Sequence, residues 1–136
     1  MIIMALNCGS SSVKYQLFDW EKKVVVAKGM VERVIVGDSF IVHEVPGRET
    51  YKLEQDCSDH RAAIDLLIRV VTDRSHGVLQ NVSEISAVGH RVVHGGEKFT
   101  CSVRIDDAVL NAVKEVQHLA PLHNPPILTV LRLPVP

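Results

Sequence analysis

The spacing of apolar residues changes period at Ser58, and that change limits the folds open to the chain. Before it, apolar residues run or alternate in short stretches divided by turn residues, as strands require. After it, Ala62, Ala63, Leu66, Leu67, Val70 and Val71 recur at helical spacing, with Ser58 or Asp59 able to cap the helix and Gly77 lying beyond its end. Ile64 and Ile68 widen the apolar face, so this helix is expected to be covered on more than one side.

The strands before Ser58 read as a β-meander. An apolar run from Ile2 to Leu6 and an alternating one from Val13 to Phe18 form a hairpin. A third stretch alternates from Lys23 to Val36 through Val24, Val26 and Val31. The dipeptide Gly37-Asp38 then turns the chain into Ser39 to Val45, and Pro46-Gly47 turns it again into Thr50 to Leu53. Past the helix, Ile85 to Val93 returns to strand character and ends at Gly95-Gly96. Asp106 can cap a second helix that packs Val109, Ala112, Val113 and Val116 inward and leaves Lys114, Glu115 and Gln117 in water. Strands, then helix, strand and helix predict an α/β or α+β sheet domain, and 136 residues suffice for one core. After His123-Asn124-Pro125-Pro126, the apolar tail from Ile127 to Pro136 has two further prolines and no cap, too short to complete another unit. Residues 1–126 are therefore expected to form the domain, and 127–136 an atypical, non-native tail.

Composition excludes several function classes. A net charge of -1 gives no general attraction to nucleic acid or to an anionic membrane, so any anion site must be local. The opening Met-Ile-Ile-Met-Ala-Leu lacks a basic region and is too short for a signal peptide or a membrane span. Cys8, Cys57 and Cys101 are odd in number and lack metal spacing, which fits three thiols in the cytoplasm. Asn81-Val82-Ser83 matches a glycosylation sequon by chance if there is no secretory route.

Three stretches carry the groups from which chemistry can be built. In Asn7-Cys8-Gly9-Ser10-Ser11-Ser12-Val13-Lys14, Gly9 permits a positive φ, the hydroxyls and amide offer directed hydrogen bonds, and Lys14 adds a compact charge. Such a turn can hold phosphate, and a plain hairpin turn uses the same residues. In Gly89-His90-Arg91-Val92-Val93-His94-Gly95-Gly96, a strand from Ile85 to His94 puts Arg91 and Val93 on one face and His90, Val92 and His94 on the other. A guanidinium beside a small apolar side chain suits a short aliphatic carboxylate, and pairing of Arg91 with a structural Asp or Glu is the alternative. His90 and His94 read as satisfied structural histidines rather than zinc ligands, because the β-branched neighbours and glycines disfavour a helix. In Leu119-Ala120-Pro121-Leu122-His123-Asn124-Pro125, two prolines stiffen a loop that presents Leu122 and His123, or that merely ends a helix. His118 and His123 can each stand near an anion or cap the helix end. Neither a P-loop nor a dinucleotide fingerprint is present.

Taken together and in this order, the first stretch, the second extended through Glu97-Lys98-Phe99, and the third resemble the acetate kinase family from the first strand to about Pro126. The resemblance implies the N-terminal part of a longer two-domain enzyme with an actin/sugar-kinase-like, ribonuclease H-like fold. It also implies ATP-dependent phosphorylation of acetate to acetyl phosphate and the reverse, with Mg2+, in an enzyme that forms a homodimer. By resemblance, Asn7 lies near the metal and the transferred phosphoryl, Ser10, Ser12 and Lys14 near the nucleotide phosphates, and Arg91 at the acetate carboxylate. Val93 and Leu122 then line the methyl pocket, and His123 stands by the transferring phosphoryl.

The family also uses an acidic residue, a histidine and a second arginine from beyond this stretch, together with an adenosine pocket and a metal-binding glutamate. The isolated 136 residues are accordingly expected to have little or no activity. Propionate or butyrate is an alternative acceptor, since one methylene changes discrimination by only about 1–3 kcal/mol. A reading from another class is a non-catalytic module that binds anions or dimerises. Either way, an exposed apolar surface is expected.

Overall fold

The computed structural model describes residues 1–92, 101–121, 124, 125 and 127. Five antiparallel strands form the expected meander: β1 (Ile2–Cys8), β2 (Ser12–Asp19), β3 (Val24–Glu32), β4 (Phe40–Glu44) and β5 (Tyr51–Glu54). Helix α1 (His60–Val71) then crosses one face, and β6 (Ile85–His90) returns alongside β1 in parallel. The six-stranded sheet has the order β5-β4-β3-β2-β1-β6. Helix α2 (Asp107–Glu115) follows, and this mixed α/β arrangement agrees with the class read from the sequence.

One face of the sheet is dry. Met4, Leu6 and Cys8 of β1 and Val13, Tyr15 and Leu17 of β2 are buried, and so are Ala63, Leu66, Leu67, Val70 and Val71 of α1, all in one core. Ile64 and Ile68 pack against it half-buried, as the wide apolar face of the helix anticipates. Asp59 caps α1 by accepting from the Ala62 N–H at 2.8 Å, and Asp106 caps α2 by accepting from Val109 at 2.9 Å. In α2, Val109, Ala112 and Val113 are buried whereas Lys114 and Glu115 are exposed. Ile127 is buried in the main core.

Several boundaries differ from expectation. β3 begins at Val24 and ends at Glu32, because Lys23 (φ 56°), Arg33 (φ 59°) and Ile35 (φ 74°) leave the extended region. The turn at Gly37-Asp38 is real, both residues having positive φ, but it closes a longer loop over 33–38 that plants Val34 in the core. β6 stops at His90, short of the expected Val93, which lies outside the described residues. Asn81 caps a 3-10 turn (Val82–Glu84), its side-chain oxygen accepting from Ser83, so this residue has a local structural task. Large apolar side chains that stay exposed include Ile35, Val36, Val88 and Leu119.

A buried polar network ties β2, β4 and the segment after α1 together. His43 Nε2 donates to the His76 carbonyl at 3.1 Å, which fixes the neutral tautomer and leaves Nδ1 to accept from the Tyr15 hydroxyl at 2.6 Å. Burial holds His43 below the ordinary histidine value. The Tyr15 hydroxyl lies over Gly29, where an added Cβ would collide with it and with the Val42 carbonyl.

Two outcomes follow from this network. Gly29→Ala should lower stability by about 1–3 kcal/mol in urea denaturation, and Tyr15→Phe should recover little of that loss because the ring carbon and the Val42 carbonyl still meet the methyl; an unchanged urea midpoint for Gly29→Ala would refute the packing argument. Because the folded-state value of His43 is depressed, the unfolded chain binds the extra proton, so stability present above about pH 6.5 should fall as the pH drops below it. His90, also lowered by burial, acts in the same direction. A urea midpoint followed from pH 8 to pH 5 should therefore decline, and His43→Gln should flatten that decline in part; an unchanged slope would clear His43 of the effect.

Candidate functional site

The inward alternation of β1 and β2 dictates what appears on the other face. With Leu6, Cys8, Val13 and Tyr15 turned to α1, the residues between them must point away, and Ala5, Asn7, Ser12, Lys14 and Gln16 do. Asn7 is the direct cross-strand partner of Lys14. On the other side of β1, Leu6 is level with His90, and the Arg91 N–H continues the ladder by donating to the Leu6 carbonyl at 3.1 Å. His90 thus lies level with inward-facing Leu6, and alternation carried one residue past the end of β6 puts Arg91 on the side of Asn7. Lys14 on β2, Asn7 on β1 and Arg91 just beyond β6 thus line up across three neighbouring chain segments, which span about 10 Å at ordinary strand spacing.

Lys14 and Arg91 are exposed, and neither forms an ion pair among the described residues. Cys8, although central to the motif, faces the core, where burial pushes its thiol up to about 12 and leaves it inert.

The turn between β1 and β2 has an unusual division of its backbone groups. The Gly9 N–H closes the hairpin on the Ser12 carbonyl at 2.9 Å. The Gly9 carbonyl accepts from His60 Nε2 at 2.7 Å, and the Ser11 carbonyl accepts from the Val34 N–H at 2.9 Å. The N–H groups of Ser10 and Ser11 have no acceptor among the described residues. Two carbonyls of the turn are thus engaged while the Ser10 and Ser11 N–H groups have no acceptor among the described residues, the combination from which an anion site can be built. Gly9 does not use a positive φ here; an added Cβ would stand 2.7 Å from the Ser12 hydroxyl, which can rotate away.

His90 differs from the expected satisfied histidine. Its Nδ1 donates to the Arg91 carbonyl at 2.6 Å, and its Nε2 is buried without a hydrogen-bond partner among the described residues. Among the described residues, no group of three or more His, Cys, Asp or Glu side chains is placed to hold a metal. Val93, Leu122, His123 and His94 lie outside the described residues. Sequence spacing supplied Asn7, Ser10, Ser12, Lys14 and Arg91, but nothing in it pointed to His60 or Val34, whose contacts with the turn join segments far apart in the chain.

The model of the acetokinase family matches residues 2–134. The chain belongs to the acetokinase family. The acetate kinase of Trichlorobacter lovleyi is 90% identical over 126 residues, which are 93% of this chain and 30% of that protein. The acetate kinase of Geobacter sulfurreducens is 79% identical over the same extents. Among solved structures, the Porphyromonas gingivalis acetate kinase superposes with a TM-score of 0.90 at 44% identity, covering 96% of this chain and 33% of that one. A propionate kinase from Francisella tularensis superposes with a TM-score of 0.80 at 32% identity, covering 96% of this chain and 32% of that one. The chain therefore spans about a third of the length of these relatives.

The geometry of the turn yields a discriminating substitution. Gly9→Ala should change stability by no more than about 1 kcal/mol, because the obstacle is a rotatable hydroxymethyl. It should instead swing the Ser12 hydroxyl away, visible as a changed χ1 coupling of Ser12 by NMR. A loss above about 2 kcal/mol would show that the turn backbone itself resists the methyl.

Proposed function

We propose that this chain supplies one wall of a carboxylate kinase site, with acetate as phosphoryl acceptor and MgATP as donor. The observation that carries this reading is the row Lys14, Asn7 and Arg91 at the hairpin end of the sheet, with neither cation in an ion pair among the described residues. The acceptor-binding group and the phosphate-binding Lys14 then stand on the two sides of β1, with Asn7 between them.

A carboxylate is already a nucleophile, so the protein has to align it and to neutralise charge rather than to supply a strong base. Arg91 holds the two carboxylate oxygens with its planar fork, which orients one of them toward the phosphoryl group. Val93 and Leu122 are assigned to the methyl end and His123 to the transferring phosphoryl on the family resemblance alone. On the donor side, the free N–H groups of Ser10 and Ser11, the Ser10 and Ser12 hydroxyls and Lys14 receive phosphate oxygens. These donors fit a polyphosphate. Asn7 offers a single amide oxygen, which suits a magnesium ion that arrives on phosphates with its own waters rather than one caged by protein. Bound ATP supplies the phosphoryl group and the ion offsets its charge. On the family resemblance, the adenosine side of the cleft lies in the part of the relatives' length that this chain does not span. The three thiols suit a cytoplasmic setting.

The propionate kinase likeness supports a second reading in which the acceptor carries one more methylene, with the rest of the site unchanged. Rates with acetate, propionate and butyrate separate the two.

The purified 136-residue chain should form no acetyl phosphate from acetate and MgATP, and turnover in the ordinary kinase range of about 1–100 s-1 would overturn the one-wall reading. Placed in the full-length Trichlorobacter lovleyi enzyme in exchange for its matching segment, residues 1–126 should support turnover. There Arg91→Ala should raise the KM for acetate about 10- to 150-fold, and an unchanged KM would remove Arg91 from the acceptor site.

A further inference from the structure

The Gly9 carbonyl and the Ser10 N–H belong to one peptide plane, and in a trans peptide they point in opposite directions. Whatever holds that carbonyl back therefore aims that N–H forward. The group that holds it is His60 Nε2, at 2.7 Å.

His60 is the first residue of α1, yet its polar atoms do not serve the helix. Asp59 supplies the cap, and the one bond recorded for the His60 ring leaves the helix for the β1–β2 turn. The residue is 3% exposed, in a position where an apolar side chain would satisfy packing alone. A carbonyl can only accept, so Nε2 carries the proton. The turn is otherwise held from behind by the Val34 N–H on the Ser11 carbonyl. Val34 is itself tied to the segment before α1, since the Ile35 N–H donates to the Cys57 carbonyl at 2.9 Å and Ser39 Oγ accepts from the Cys57 N–H at 3.0 Å. The Val34 bond fixes a different peptide, however, and without His60 the plane between Gly9 and Ser10 has no restraint on its carbonyl. Gly9 has no side chain to oppose a flip of that plane.

We propose that His60 is a positioning residue for the phosphate-facing turn: its Nε2–H···O=C bond to Gly9 holds the Ser10 N–H outward, toward an incoming phosphate. This rests on the reading of the turn as phosphate-facing. It assigns α1 a second task, that of setting the donor geometry of a loop distant in sequence.

Glutamine and methionine have almost the same length and volume, and only glutamine can donate to the carbonyl. The 15N-labelled 136-residue chain, His60→Gln and His60→Met should be titrated with inorganic pyrophosphate while the Ser10 and Ser11 amide signals are followed. We expect the Met variant to bind about three- to tenfold more weakly than wild type, with a more mobile Ser10 amide, and the Gln variant to recover most of the loss. Binding and Ser10 order in the Met variant equal to wild type would overturn the role of His60. Should the Met variant not fold, the wild-type chain still decides: a slowly exchanging His60 Nε2–H coupled to the Gly9 carbonyl carbon supports the proposal, and its absence overturns it. A wild-type chain whose Ser10 and Ser11 signals ignore pyrophosphate sinks the phosphate reading itself, which is distinguishable because the mobility comparison needs no ligand.

Discussion

Everything at the hairpin end depends on the pairing register of β1 and β2. Seven consecutive pairs, from Ile2 opposite Asp19 to Cys8 opposite Val13, put the apolar members of both strands against α1. Side chains alternate with period two, so a slip of one residue would drive Lys14 and Asn7 into the core and bring Val13 and Leu6 to water. Burial on one face thus selects the polar face, and the site residues need no separate instruction to face the same way. The hydrophobic effect of the core and the placement of the cations are one constraint seen from two sides.

The same economy governs the turn. Gly9 to Ser11 make few side-chain contacts, but two of their carbonyls are engaged by His60 and Val34, from segments that are themselves bonded to each other through Ile35, Cys57 and Ser39. A three-residue loop would ordinarily be mobile; here its geometry is set by a helix and by a neighbouring loop. Ile35 sits at φ 74°, a region a β-branched residue rarely enters. That conformation is compatible with a buried Val34 on one side of it and an exposed Val36 on the other.

Much of this was legible in the sequence because it depends on local period and turn chemistry. The meander, the capped helices at Asp59 and Asp106 and the inward stripe of Val109, Ala112 and Val113 follow from spacing alone. The common face of Asn7, Ser12 and Lys14 follows from alternation. What could not be read is what joins distant segments. No pattern places β6 beside β1 rather than at the β5 edge, and it is that neighbour relation which brings Arg91 to Asn7. No pattern distinguishes His60 from any other histidine near a helix start. Gly9 sits in the turn without the positive φ that its residue type permits, and a methyl there would meet chiefly the rotatable Ser12 hydroxyl.

The parallel pairing of β6 with β1 has a kinetic consequence. β1 meets β2 through a short hairpin, a contact that closes quickly, whereas β6 reaches β1 only after the rest of the meander and α1 have intervened. The Lys14 and Asn7 end of the row is therefore built from contacts local in sequence and the Arg91 end from remote ones. Loop-closure entropy favours early registration of the turn and Lys14, with Arg91 following once the long crossover closes, so one row of side chains draws on contacts of very different sequence range.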